Sequence, residues 1–153
     1  MGYVDSNLLP GEAITYRAKL HPMIFAGAGF LTAIAVGLFA ISAIESAGGF
    51  GVAGAVIVLI AAIRGVSGFL RYVSSEFAIT DKRVVIKVGL LKRHTVELLL
   101  TKVETIGVDQ TILGRIFNYG TIIVTGTGGT KEPFSSIANP LEFRRQVQAR
   151  LAG

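Results

Sequence analysis

Residues 23–44 read MIFAGAGFLTAIAVGLFAISAI, residues 45–49 read ESAGG, and residues 50–70 read FGVAGAVIVLIAAIRGVSGFL. The first run carries no charged residue and the second carries Arg64 alone. A bilayer core is about 30 Å thick and a helix rises about 1.5 Å per residue, so each run is long enough to cross as a helix. The stretch between them is too short for anything but a turn joining antiparallel helices. A cleaved leader fits poorly, because a signal core is about 7–15 residues and the second run would survive any cut near Ala43–Ala47.

Working outward from the two runs, Arg17 and Lys19 precede the first, and Arg64 and Arg71 close the second. The turn holds Glu45 and no Lys or Arg. Basic residues stay on the cytoplasmic side, which predicts a multi-pass protein of the cell (inner) membrane with both termini cytoplasmic. Arg64 and Arg71 are then membrane-interface residues whose heads snorkel to the cytoplasmic headgroups. A channel or carrier needs more ionisable groups within the membrane than this chain offers. Small residues recur at four-residue spacing: Gly29, Ala33 and Gly37 in the first helix, Gly51 with Ala55 and Ala61 with Gly65 in the second. Such ridges let backbones approach closely in lipid, within the hairpin first and between copies second.

The whole chain of 153 residues has mean hydropathy +0.60 and 16% charged residues. A soluble domain carries about 25% charged residues, and the deficit lies in the hairpin. From Arg64 onward there are thirteen Lys/Arg against seven Asp/Glu, a balance of +6 beside an anionic leaflet. The expected organisation is a cytoplasmic lead-in (1–22), a two-helix transmembrane hairpin (23–70) and a soluble cytoplasmic domain (71–153). Cysteine is absent, which excludes disulfides, thiolate metal sites, cysteine nucleophiles and a lipoprotein anchor.

Outside the hairpin the hydrophobic period is two. Ile14, Tyr16, Ala18 and Leu20 alternate with Thr15, Arg17 and Lys19, predicting a short strand stopped at His21-Pro22. Residues 76–80 (EFAIT) and 83–88 (RVVIKV) predict two strands about Asp81-Lys82, with Val84, Ile86 and Val88 on one face and Arg83 and Lys87 on the other. Further strands are expected at 93–100, 103–108, 121–125 and 131–135, with 110–118 irregular or briefly helical. Asn139, Pro140 and Glu142 resemble a helix N-cap, first position and capping-box acid. Phe143, Val147 and Leu151 then form an apolar stripe. The fold class is a membrane α-helical hairpin plus a mainly-β soluble domain, a β-sandwich or partly open barrel capped by a C-terminal helix.

The lead-in ending Leu-x-Pro-Gly-Glu, the hairpin and Phe77-Ala78-Ile79-Thr80-Asp81-Lys82-Arg83 together resemble the bacterial pleckstrin-homology-like membrane proteins, the YdbS-like group long catalogued as a domain of unknown function. The strongest likeness is residues 103–122, VETIGVDQTILGRIFNYGTI, which is similar to that group's Gln, Leu-Gly-Arg and Tyr-Gly-Thr pattern. The resemblance covers nearly the whole chain. It implies a pleckstrin-homology fold of two orthogonal sheets and a C-terminal helix, and it implies no known activity.

Among candidate sites, the basic pairs Lys82-Arg83 and Lys92-Arg93 lie at strand ends and are lipid-contact candidates, each charge contributing about 1 kcal/mol near an anionic leaflet. Residues 126–131 (GTGGTK) suggest a phosphate loop, but Thr130 separates Gly129 from Lys131 and strand follows where a helix is needed, so a plain hairpin is expected. His21 and His94 are far apart, no cluster has metal-ligand spacing, and no serine sits in a nucleophile elbow. Arg115 is expected to bond nearby carbonyls or Asp109. The chain is therefore not expected to be an enzyme, with no cofactor and no metal. Nucleic acid is excluded as a partner, because the basic segments lack interleaved aromatics. The expected function is interaction, by self-association or with another membrane protein; the alternative is an anionic-headgroup binder using the basic strand ends, with membrane lipids as partners.

Overall fold

The computed structural model describes residues 2–45, 48–90 and 93–151. It divides into two compact units, one from the chain up to His21 together with the chain from Ser74 onward, the other from Pro22 to Val73.

The first unit is a β-sandwich. A short helix α1 (Tyr3–Ser6) leads to β1 (Ile14–Ala18); beyond the second unit come β2 (Glu76–Thr80), β3 (Arg83–Val88) and β4 (His94–Leu99). These four strands form one sheet in the order β1-β2-β3-β4, all neighbours antiparallel. A second sheet, β5-β6-β7, contains β5 (Val103–Asp109), β6 (Tyr119–Gly126) and β7 (Lys131–Ala138), and the chain ends in α5 (Pro140–Leu151). The lead-in is thus part of the domain: Ala18 pairs with Phe77 and Arg17 with Ala78, so the hairpin is inserted between two adjacent strands of one sheet.

Period-two alternation explains the core, except in β7, where a register shift opposite Gly120–Ile122 brings Phe134 and Ile137, three residues apart, onto the same face. Phe77 and Ile79 of β2, Val84 and Ile86 of β3, Ile122 and Val124 of β6, and Phe134 and Ile137 of β7 are all buried. Phe77 and Phe134 join the two sheets edge to face, with ring centroids 6.2 Å apart. Each such side chain contributes about 1.5–3 kcal/mol of burial. Phe143 and Val147 of α5 are buried, and Tyr16 meets the Phe143 ring at 6.3 Å. Leu151, expected as the third member of that stripe, is 44% exposed, so the stripe is covered only at Phe143 and Val147.

Two local expectations give way to tertiary contacts. Asn139 has φ of 51° and not the extended backbone of an ordinary N-cap, and its side-chain oxygen accepts from Asn118. Glu142 pairs with Arg145 and accepts from Gln146. Val85, on the polar face of β3 by alternation, is buried because Val4 and Ala78 pack on it, with Tyr3, Leu8 and Ile14 around them. The N-terminal segment is therefore a cover over the outer face of the first sheet. The 126–131 segment is a tight hairpin turn from β6 into β7, as expected.

The second unit holds a 3-10 turn (Pro22–Phe25), α2 (Ala26–Glu45) and α3 (Gly48–Ser74, whose last residue belongs to the first unit). Both helices are long and apolar enough to cross a membrane. Within α2, Ala28, Leu31, Ala35, Leu38 and Ser42 are the positions shielded from solvent, a three-and-four spacing that marks a packing seam. On α3 the seam runs through Gly51, Gly54, Ile57, Ala61, Gly65 and Gly68. A Cβ on Gly54 would lie 3.2 Å from the Phe39 ring, and one on Gly51 would lie 3.1 Å from Ser42 Oγ.

Candidate interaction surfaces

Among the described basic strand-end residues, Arg83 is engaged by other side chains. Arg83 turns back under the N-terminal cover: its Nε and Nη2 donate to the two Glu12 carboxylate oxygens, each at 2.9 Å, Nη2 also donates to Asn7 O at 2.6 Å, and Nη1 pairs with Glu97. The Glu12 side chain is fully buried and also accepts from Thr80 Oγ1 (2.7 Å) and Leu9 N (2.6 Å). The Arg83 hydrogen bond, helped by those from Leu9 and Thr80, outweighs burial and holds the Glu12 carboxyl down at about 2. The fork of Arg83, expected as a lipid contact, is engaged by the buried Glu12 carboxylate and by Glu97.

Lys82 is exposed and reaches Pro10 O at 3.1 Å. Arg93 is exposed and its guanidinium sits 5.8 Å from the Tyr3 ring centroid, which also carries Lys87 Nζ at 5.2 Å. Lys92 lies outside the described residues. The same cover is held by Glu76, which accepts from Tyr3 N (2.7 Å) and Val4 N (3.0 Å), and by the Arg17–Asp5 ion pair. No local pattern in the sequence links Glu12 to Arg83, because only the folded sheet brings residues 71 apart together.

The small residues of the hairpin divide. Gly51, Ala61 and Gly65 lie in the α2–α3 seam, the last with its Cβ direction 3.9 Å from Ala28 Cβ. Gly29, Ala33, Gly37 and Ala55 are exposed, and a Cβ on Gly29 or Gly37 would meet nothing within 4 Å. The expectation that the Gly29–Ala33–Gly37 ridge packs first within the hairpin is corrected: the seam uses the row beginning at Ala28, and the ridge faces outward. Arg64 and Arg71 share one face of α3, two turns apart, and line a cleft with Ser67 and Gly68.

One surface was not visible in the sequence. Helix α4 (Ile112–Ile116) and Phe117 expose Ile112 (79%), Ile116 (68%), Leu113 and Phe117 within six residues. The base beneath is tied by hydrogen bonds. Thr111 Oγ1 accepts from Gly114 N at 3.1 Å, and Gln110 Nε2 donates to Gly114 O and Tyr119 O at 3.1 and 3.0 Å. Gly114 is buried with its Cβ direction 2.6 Å from Tyr119 O, so no larger residue fits. Arg115 stands beside Ile112 and Ile116 and, among the described residues, pairs with no acid, Asp109 included. The signal was four large apolar residues around Gly-Arg with no alternation to bury them.

The described residues contain no group of three His, Asp or Glu side chains arranged to hold a metal. No curated protein and no solved structure matches the chain. The bacterial PH domain family matches residues 20–151, a span that takes in the hairpin, strands β2 to β7 and α5 but not β1. A two-sheet β-sandwich closed by a C-terminal helix is the fold that family implies, and PH-like domains serve as interaction or lipid-binding modules. The chain belongs to the bacterial PH domain family.

Proposed function

We propose that this protein is a PH-like interaction module anchored in the bacterial inner membrane by its helical hairpin, with both termini cytoplasmic. Its work is assembly with further copies of itself, without catalysis. The observation that carries this reading is α4, a hydrogen-bonded platform that, with Phe117, exposes four large apolar side chains. Contiguous exposed apolar surface of this kind marks a contact with protein or membrane. The outward Gly29–Ala33–Gly37 ridge supports the same reading at the level of the hairpin. The alternative, headgroup binding by the basic strand ends, is weakened because Arg83 is held by Glu12 and Glu97.

The test is the mass of the full chain extracted in mild detergent, measured by light scattering. A homogeneous species of several subunits that Ile116→Glu reduces to smaller ones is the expected result. A monomer in every detergent and in nanodiscs rejects assembly.

A further inference from the structure

Helix α4 cannot be covered without an answer to Arg115. That side chain lines a hollow with Ile112 and Ile116, the two most exposed of the four apolar residues there. A partner that buries the isoleucines also strips water from the guanidinium, and a desolvated charge is costly unless an anion meets it. Among the described residues Arg115 pairs with no acid of its own chain.

The chain carries one unengaged acid beside α4. Among the described residues of the first unit, every Asp and Glu except Glu104 and Asp109 is held through its side chain by a hydrogen bond or ion pair. Both of these are exposed. Glu104 lies five residues back along β5, about 17 Å from Asp109 at the rise of a strand. Asp109 adjoins the platform itself. It pairs with Thr121 on β6, and its carbonyl oxygen lies 2.7 Å from the Cβ direction of Gly120. The next residue, Gln110, is bonded to Gly114 O and Tyr119 O.

We propose that α4 is an isologous contact, meeting α4 of a second copy about a two-fold axis, with each Arg115 paired to Asp109 of the other copy. The inference rests on the assembly reading above and adds the geometry of the contact and the charges that match across it. In an isologous contact both copies offer the same patch, so the acid that answers Arg115 must itself border α4. Asp109 meets that condition. Antiparallel crossing of the two helices brings the last turn of each, with Arg115, over the entry to the other, where Asp109 stands. The apolar side chains then fill the centre and two ion pairs fall at the rim, the ordinary anatomy of a protein interface.

Light scattering of the full chain in mild detergent, over a range of protein concentrations, tests the pairing. Asp109→Arg and Arg115→Asp each set like charges against one another and should weaken association about tenfold. Neither side chain is buried, so the unfolding midpoint of each variant, followed by tyrosine fluorescence, should stay that of the wild type. Mixed in equal amounts, the two variants present opposite charges at both rim contacts, and wild-type association should return. Rescue by mixing cannot arise within one chain. Single variants that associate like the wild type, or a mixture that stays dissociated, overturn the pairing. Ile116→Glu keeps the two readings apart. Wild-type mass in that variant ends the assembly reading of α4, whereas dissociation by Ile116→Glu with wild-type mass in both charge reversals ends only the Arg115–Asp109 contact. The bilayer is the competing occupant. A polarity-sensitive fluorophore on Ile116→Cys that shifts to the blue in phosphatidylglycerol vesicles holding one copy each assigns α4 to lipid and overturns the proposal.

Discussion

Glu12 and Arg83 meet through both carboxylate oxygens, 71 residues apart in the chain, with the acid wholly buried and the base nearly so. They join the N-terminal cover to the β2–β3 hairpin, and Thr80 Oγ1 locks the same carboxylate from the turn.

Removing one member strands the other. Glu12→Ala should destabilise the soluble unit by about 3–5 kcal/mol, the cost of an uncompensated buried charge. Arg83→Lys should recover only part of the loss relative to Arg83→Ala, because an ammonium cannot reproduce the fork. Chemical unfolding of the full chain in detergent, followed by tyrosine fluorescence, measures both; wild-type stability in Glu12→Ala contradicts the ion pair.

The same pair sets an acid limit. Glu12 has a folded-state pKa of about 2 against an ordinary 4.5, a depressed value, so its contribution is present in full above 4.5 and is lost as pH falls toward 2. The unfolding midpoint should therefore decline across that window, and Glu12→Gln should flatten the decline. A variant with the same acid profile as the wild type assigns the loss to other carboxylates.

Topology is open to a labelling test in this cysteine-free chain. A cysteine at Ser46 should react with a membrane-impermeant thiol reagent on intact cells, and one at Ser135, which is exposed on β7, should react only after lysis. The antiparallel pairing of β1 with β2 adds a constraint independent of charge, since the segments entering and leaving the hairpin are hydrogen-bonded to each other. The reverse labelling pattern rejects the orientation.

Two glycine substitutions should act oppositely. Gly29→Leu projects into open space and should weaken association between copies while leaving the hairpin intact. Gly54→Leu drives against the Phe39 ring and should disrupt the hairpin itself, which protease resistance in detergent reports. Identical behaviour of the two variants excludes the seam described here.

At the sheet's far end, Phe143→Ala should cost about 3–5 kcal/mol, because the ring is fully buried against Tyr16 and the sheets. Arg145→Ala loses only an exposed pair with Glu142 and should change stability by less than about 0.5 kcal/mol in the same unfolding assay.

What the sequence made legible is what periodicity encodes. Val84 and Ile86 announce β3, Phe143 and Val147 announce α5, and the uncharged run from Met23 to Ile44 announces α2, because each pattern repeats within a few residues. What it concealed is long-range. Arg83 reads as an exposed strand-end cation until Glu12 arrives from the lead-in. The Gly29 ridge and the Ala28 row are one residue apart on α2, and composition favours the glycines although burial falls on the alanines and leucines. Ile112, Leu113, Ile116 and Phe117 obey no burial period, so their exposure could be found only once the fold had placed everything else inside.

The insertion of α2 and α3 between β1 and β2 also orders events during synthesis. When β1 leaves the ribosome its partner strand has not been made, and Ala18 and Phe77 are separated by the whole hairpin. The edge of the first sheet must wait, unpaired, until both apolar helices and then β2 have emerged. A chain stalled before Glu76 therefore leaves the β1 edge without the strand that pairs with it in the finished sheet.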